Sequence, residues 1–155
     1  MSNTITLSPI GYVKNMRSDM SDDHWGNVLS EITIIDELPE ECIEGKDAYS
    51  HLEIIYHFHK ADESKTVKGA EHPRDNKAWP KVGIFAQRKK DRPNHLGATI
   101  VKVVSRTGKS IFVANLDADD GTPVLDIKPV VKEFLPQEEV KQPAWVSQLM
   151  KDYWK

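Results

Sequence analysis

The sequence predicts a mainly β protein: a single-domain β-barrel with short peripheral helices and a C-terminal helix. Short β-branched runs recur between turn signals, namely "TITLSPIGYVKN", "SEITII", "YSHLEIIYHFHK", "KVGIFAQRK", "ATIVKVVSR", "SIFVANLDA" and "PVLDIKPVV". Several alternate apolar and polar residues with a period of two, which turns one face of each strand toward a core. Seven strands in 155 residues would leave exposed edges unless the sheet closed on itself, and closure is the economical solution. A chain of this length, 39% hydrophobic, has enough apolar surface for one core and needs no second domain. The expected organisation is one domain over residues 1–155, with the barrel at about 3–136 and the helix at about 143–154.

The elements follow in chain order. After the first two strands, "PEECIEGKDAYS" holds a short helical turn before the third. "KADESKTVKGAEHPRDNKAWPK" is long, polar and without periodicity, the mark of a functional or mobile loop. In "VVSRTGKSIFVANL" two alternating runs flank a turn at Thr107-Gly108, so they form an antiparallel hairpin. The closing "PAWVSQLMKDYWK" places Trp145, Val146, Leu149, Met150 and Tyr153 on one helical stripe, with Pro143 near the first helical position. Such a stripe docks on the barrel or on a second subunit.

Charge and motif spacing exclude several classes. A net charge of −3 and a pI near 6.1 argue against a chain-wide basic surface for nucleic acid, while leaving room for a local basic patch. A single cysteine, Cys42, allows no internal disulfide and fits a reducing cytoplasm. No apolar run approaches the roughly 18 residues of a membrane span, and the N-terminus lacks a signal-peptide core, so a soluble cytoplasmic protein is expected. "TGKS" at 107–110 resembles the end of a phosphate-binding P-loop, but the earlier glycine that motif needs is Val103. "DADDG" fails as a calcium loop, because Gly121 is fifth instead of sixth and Lys128 stands where a glutamate is required. His57 and His59 lie two apart on a predicted strand, and His72 follows in the polar loop, but no third ligand of matching reach accompanies them. No metal site is expected.

Two features ask for a chemical reason. "LDADDGTPVLDIKPV" crowds Asp117, Asp119 and Asp120 around a turn and sets Asp126 inside an apolar strand. Acids in turns are ordinary, whereas Asp126 is either an outward-facing polar residue or an acid lining a cavity. "QRKKDRPN" concentrates Arg88, Lys89, Lys90 and Arg92 against Asp91, which reads either as solvated surface or as a clamp for phosphate oxygens.

"IGYVKN", "YSHLEIIYHFHKA", "HPR", "VGIFAQRKKDRPNHLGATIVKVV" and "LDADDGTPVLDIKPV", in that order, resemble the TrmO/TsaA (YaeB-like) family from Ile10 to about Pro136. The resemblance implies a homodimeric β-barrel methyltransferase that uses S-adenosylmethionine and acts on tRNA at the exocyclic N6 nitrogen of threonylcarbamoyl-adenosine, position 37, beside the anticodon. It further implies a donor pocket made from His59, Lys60, Arg88, Ala98, Ala114, Asn115, Leu116 and Asp117, with Trp25 and its neighbours in "DDHWGN" closing over it. Arg92, Asn94 and Lys128 are then candidates for positioning the nucleotide. The chain departs from the family pattern at "FAQRKK" and "RPNHLG", where family members commonly read Phe-Ala-Thr-Arg-Ser-Pro and Arg-Pro-Asn-Pro-Ile-Gly. These departures make the rim more basic.

Displacement at a sulfonium carries its own leaving group, so positioning supplies much of the rate. The acceptor nitrogen, flanked by a purine and a carbonyl, is a poor nucleophile, and a base should take its proton. Asp126 and His59 are the candidates. A neutral histidine serves near neutral pH, whereas Asp126 would need burial to become basic enough. Two other readings keep the same pocket: a methyltransferase for a small molecule or another RNA, and a dimer that binds the donor without turning it over.

Overall fold

The structure is a computed structural model and describes residues 3–15, 17, 21–26 and 28–155. Six antiparallel strands close into a barrel: β1 (Gly11–Lys14), β2 (Leu29–Ile34), β3 (His51–His57), β6 (Leu96–Thr107), β7 (Ser110–Ala114) and β8 (Pro123–Pro129). They follow one another around the wall in the order β1-β2-β7-β6-β3-β8. Alternation decides which side faces in: along β3 Leu52, Ile54 and Tyr56 are buried, and along β7 Ile111 and Val113. With Val13, Ile32, Ile34, Val101 and Val124 they fill the interior, and Ile43 joins them from a short 3-10 turn outside the sheet. Each of these aliphatic side chains contributes about 1.5–3 kcal/mol by leaving water.

Several predicted elements are shorter or shifted. The run "KVGIFAQRK" is not a barrel strand. It supplies only β5 (Val82–Gly83), paired with β4 (Ala70–Glu71) in a separate ribbon, and then bends into a 3-10 turn over Ile84–Ala86. Burying Ile84 while Phe85 remains 77% exposed requires that bend. "TITLSPIGYVKN" becomes strand only from Gly11, since Pro9 has no N–H to give a ladder, and Ile5 and Leu7 stay exposed. The β6–β7 turn is Gly108-Lys109, one residue later than expected. Thr107 pairs with Ser110 inside the ladder, and Gly108 takes the left-handed φ of +55° that a tight hairpin needs. β3 ends at His57, and Phe58–Ala61 forms a turn closed by Ala61 N–H on the Phe58 carbonyl (3.1 Å), so His57 and His59 do not share a strand face.

The C-terminal helix α1 covers Ala144–Leu149, with Pro143 at its N-cap, instead of 143–154. Residues Met150–Trp154 are turns. They double back so that Trp25 N–H reaches the Tyr153 carbonyl (2.7 Å) and His24 N–H reaches that of Asp152 (3.0 Å). Trp79 Nε1 donates to Gln148 Oε1 at 2.7 Å, tying α1 to the polar excursion. Among the described residues no helix is long and apolar enough to cross a membrane.

Candidate functional site

The site begins where β6 and β7 part. β7 pairs with β6 only from Ala114, opposite Lys102, while β6 itself begins six residues earlier at Leu96. Beyond Ala114 the chain swings off the wall through Asn115, whose φ of +70° is a conformation asparagine tolerates better than other side chains. Leu116 is then fully buried, and Asp117 faces the edge that β6 has kept.

The Asp117 carboxylate is held by three hydroxyls. Tyr56 donates to Oδ1 at 3.0 Å, Thr99 donates to the same oxygen, and Tyr153 donates to Oδ2. Burial, and next the negative charge of Asp117, push both phenols far above the usual tyrosine range, so they stay protonated and keep donating. Arg88 lies close enough to oppose that shift in both tyrosines, and its guanidinium donates to the Ala98 carbonyl on the unpaired stretch of β6. Ala98, Arg88, Asp117 and the Ala114–Leu116 segment therefore meet at one cleft.

The other expected donor residues, His59, Lys60 and Trp25, have surroundings of their own. His59 packs over the "DADDG" turn: its Nε2 is 3.7 Å from where a side chain on Gly121 would begin, and Asp119 is among its charged neighbours. Burial and the adjacent Lys60 charge hold its imidazolium below the ordinary histidine range, with Asp119 opposing them. Lys60 is exposed. Trp25 is buried, carries the Arg17 guanidinium over its ring at 3.5 Å, and is bonded to the C-terminal turn. Its neighbour Asn27 in "DDHWGN" lies outside the described residues.

The remaining acids separate by role. Asp120 Oδ1 accepts from Asn15 N–H at 2.9 Å, and the Asp119 carbonyl accepts from Thr122 Oγ1 at 2.7 Å, so both shape the turn. Asp126 stands opposite Ile55 on the outer side of the wall, half exposed, 3.0 Å from Lys128 Nζ, with Oδ1 accepting the Ile127 N–H. It also borders a cavity of about 180 Å³ with Ile10, Ile34, Leu38, Cys42, Ile43 and Lys46, where β8 runs past the end of β1.

The basic loop is internally braced. Arg92 donates to the Gln87 carbonyl at 2.7 Å with its guanidinium 5.9 Å from the Phe85 ring centroid, and Lys89 is paired with Glu71 at 2.6 Å. His95 is buried, with Nδ1 3.0 Å from the Lys90 carbonyl and Nε2 3.1 Å from Thr66 Oγ1. Asn94 and His95 both have positive φ, 67° and 50°. This places the exposed Asn94 at the tip of the bend. His72 is bound to the Trp79 carbonyl, and no group of three or more metal-ligating side chains occurs among the described residues.

Residues 21–134 match the family model of the tRNA-methyltransferase O N-terminal domain. The chain belongs to the tRNA-methyltransferase O family. A human tRNA (adenine(37)-N6)-methyltransferase is 36% identical over 105 residues, covering 68% of this chain and 23% of the human protein. A Pyrococcus abyssi protein named "Probable S-adenosyl-L-methionine-binding protein" is 38% identical over 102 residues, 65% of this chain and 52% of that one. The chain thus spans between about a quarter and a half of the length of these curated relatives. The crystal structure of TrmO from Pseudomonas aeruginosa superposes with a TM-score of 0.69 at 23% identity, covering 94% of this chain and 63% of that one, a likeness of fold.

Three residues of the cleft escaped the sequence reading: Tyr56, Thr99 and Tyr153. Tyr56 gave one usable signal, because a tyrosine on the inward face of an apolar strand needs a partner for its hydroxyl. Tyr153 gave none. Its position on a helical stripe pointed to packing, and only the turn after α1 aims it at Asp117.

Proposed function

We propose that this chain is an S-adenosylmethionine-dependent methyltransferase that acts on tRNA, at the N6 nitrogen of threonylcarbamoyl-adenosine 37, as a cytoplasmic homodimer. The observation that carries the reading is the Asp117 carboxylate fixed beside Arg88 at the unpaired edge of β6, inside the segment that matches the family. The donor's chemistry fits this cleft. Two donors already occupy Asp117 Oδ1 and one occupies Oδ2, which leaves an acceptor position for a ribose hydroxyl or an ammonium. The edge of β6 and the Ala114–Leu116 backbone offer further donors and acceptors to an adenine or an amino-acid head. When bound, the donor supplies a methyl group on a sulfonium with a neutral leaving group.

The chain's own work is then orientation and proton handling. Hydroxyl-bound Asp117 is preorganised, so binding spends little on ordering it. Of the two candidate bases, His59 is favoured: its lowered pKa keeps it neutral and able to accept a proton near neutral pH, whereas Asp126 is half exposed and paired with Lys128. Phe85, exposed beside Arg92, offers a face on which a base stacks, with Lys90, Asn94 and Lys128 exposed for phosphates.

The direct test is methylation of tRNA that carries threonylcarbamoyl-adenosine, with labelled methyl donor and mass spectrometry of the nucleosides. Label in the methylated nucleoside is the expected result. Absence of incorporation there removes the reading. The bracing of Lys89 by Glu71 and of Arg92 by the Gln87 carbonyl favours a second reading, a small-molecule acceptor, since fewer cations remain for phosphate. Donor turnover with no dependence on added RNA would select it.

A further inference from the structure

Residues after 134 lie beyond the family match, yet one of them reaches the centre of the cleft. Tyr153 donates to Asp117 Oδ2, the carboxylate oxygen that neither barrel hydroxyl touches. The contact is built by the backbone as much as by the side chain. Trp25 N–H holds the Tyr153 carbonyl, His24 N–H holds that of Asp152, and Tyr153 N–H closes a turn on Met150 (3.1 Å). Gly26 completes the seat, because a side chain there would begin 1.8 Å from the Trp154 carbonyl oxygen, a distance no substituent survives without moving the strand of chain. The Trp154 ring packs edge-on against Tyr153 at 4.9 Å, fixing the phenol's direction.

We infer that Tyr153 is a positioning residue for the methyl donor: the C-terminal turn forms a wall of the donor cleft and locks Asp117 in its ligand-accepting orientation. The inference rests on the assignment of the donor site to Asp117. Two hydroxyls on Oδ1 leave the carboxylate free to rock about its Cβ–Cγ bond, and a third on Oδ2 removes that freedom. The three donors come from β3, β6 and the C-terminal turn, so the carboxylate plane is fixed from separate directions. Because the phenol stays protonated across the working range, the lock holds without dependence on pH. The same turn secures Trp25, so the residue expected to cover the pocket and the residue that orients its acid are fastened by one segment.

The experiment is a double-mutant cycle read by calorimetric titration of S-adenosylmethionine, with thermal midpoints recorded in parallel. Tyr153→Phe is expected to weaken donor binding about tenfold, the value of one hydrogen bond to a charged group. Asp117→Asn is expected to weaken it at least as much, and the double variant no further than Asp117→Asn alone, because Tyr153 acts through Asp117. Gly26→Ala, which displaces the tail without touching its chemistry, should reproduce the Tyr153→Phe loss. Unchanged or tighter binding by Tyr153→Phe, whatever its thermal midpoint, overturns the inference, and so does additivity in the double variant. Unchanged binding by Asp117→Asn instead overturns the donor-site assignment on which it rests.

Discussion

Gly97 lies directly against the Tyr56 ring. A Cβ at this position would stand 2.5 Å from two ring carbons and 2.9 Å from the hydroxyl, so the glycine of "RPNHLG" is what lets Tyr56 cross to Asp117. Gly97→Ala is therefore expected to destabilise the fold by about 1–3 kcal/mol, the usual penalty of overpacking, and to weaken donor binding by displacing the phenol. Denaturant unfolding with donor titration checks both. His59 carries a pH prediction. Its folded pKa is lowered below 6.5, so the neutral form persists as pH falls through the ordinary histidine range and is lost only below it. With His59 as base, kcat/KM should be flat above pH 6.5 and fall at lower pH, and His59→Asn should abolish that acid limb and lower the plateau. A wild-type profile with no acid limb at any pH where the protein stays folded would exclude His59. At this scale the motif residues were legible as types, since an Asp-rich turn and a basic loop announce themselves. Their partners were not, because Tyr56, Thr99 and Tyr153 are brought to Asp117 from positions far apart in the chain.

At the scale of elements, the cleft exists because β6 is a 12-residue strand and β7 a five-residue one. The length mismatch leaves backbone groups of Leu96–Val101 without a β7 partner, and Arg88 takes one of them. The hairpin itself was readable from alternation and glycine, while the mismatch depended on Asn115 turning the chain away. The C-terminal stripe was readable as a docking surface. Its shortening to six residues was not, since the turn that ends it is held by backbone bonds to Trp25 and His24. The bracing of the 85–95 loop sets how nucleic acid would be held. With Lys89 and Arg92 engaged internally and the exposed Arg88 bonded to the Ala98 carbonyl, Lys90 is an exposed cation of the cluster placed to meet a phosphate. Binding of tRNA should weaken with salt, and Lys90→Ala should make the log–log slope shallower by about one, measured by filter binding over a salt series. A slope near zero in the wild type would leave no phosphate contacts to assign.

For the whole molecule, closure of the barrel removes the sheet edges but leaves apolar side chains outside. Leu29, Ile100 and Val104 are each about half exposed on β2 and β6, the two strands that flank β7, around Ala114 and Lys102. The proposed homodimer would cover such a face, and Ile100→Glu should then shift the mass in sedimentation equilibrium from dimer to monomer without lowering the thermal midpoint of the monomer. A wild-type monomer at all concentrations would remove the dimer.

Alternation of β-branched residues and the punctuation by glycine and proline were enough to determine a closed, mostly β domain, because burial of one strand face is a local property written with a period of two. The ordered motifs determined the family. Tertiary structure alone decided that six strands close the wall instead of seven, that Asp126 looks outward while Asp117 is gripped within, and that the last turn of the chain reaches the cleft. Each of these depends on which distant segments meet. Hydrogen-bond partners more than a hundred residues apart, such as Trp25 and Tyr153, leave no periodicity for a sequence to display.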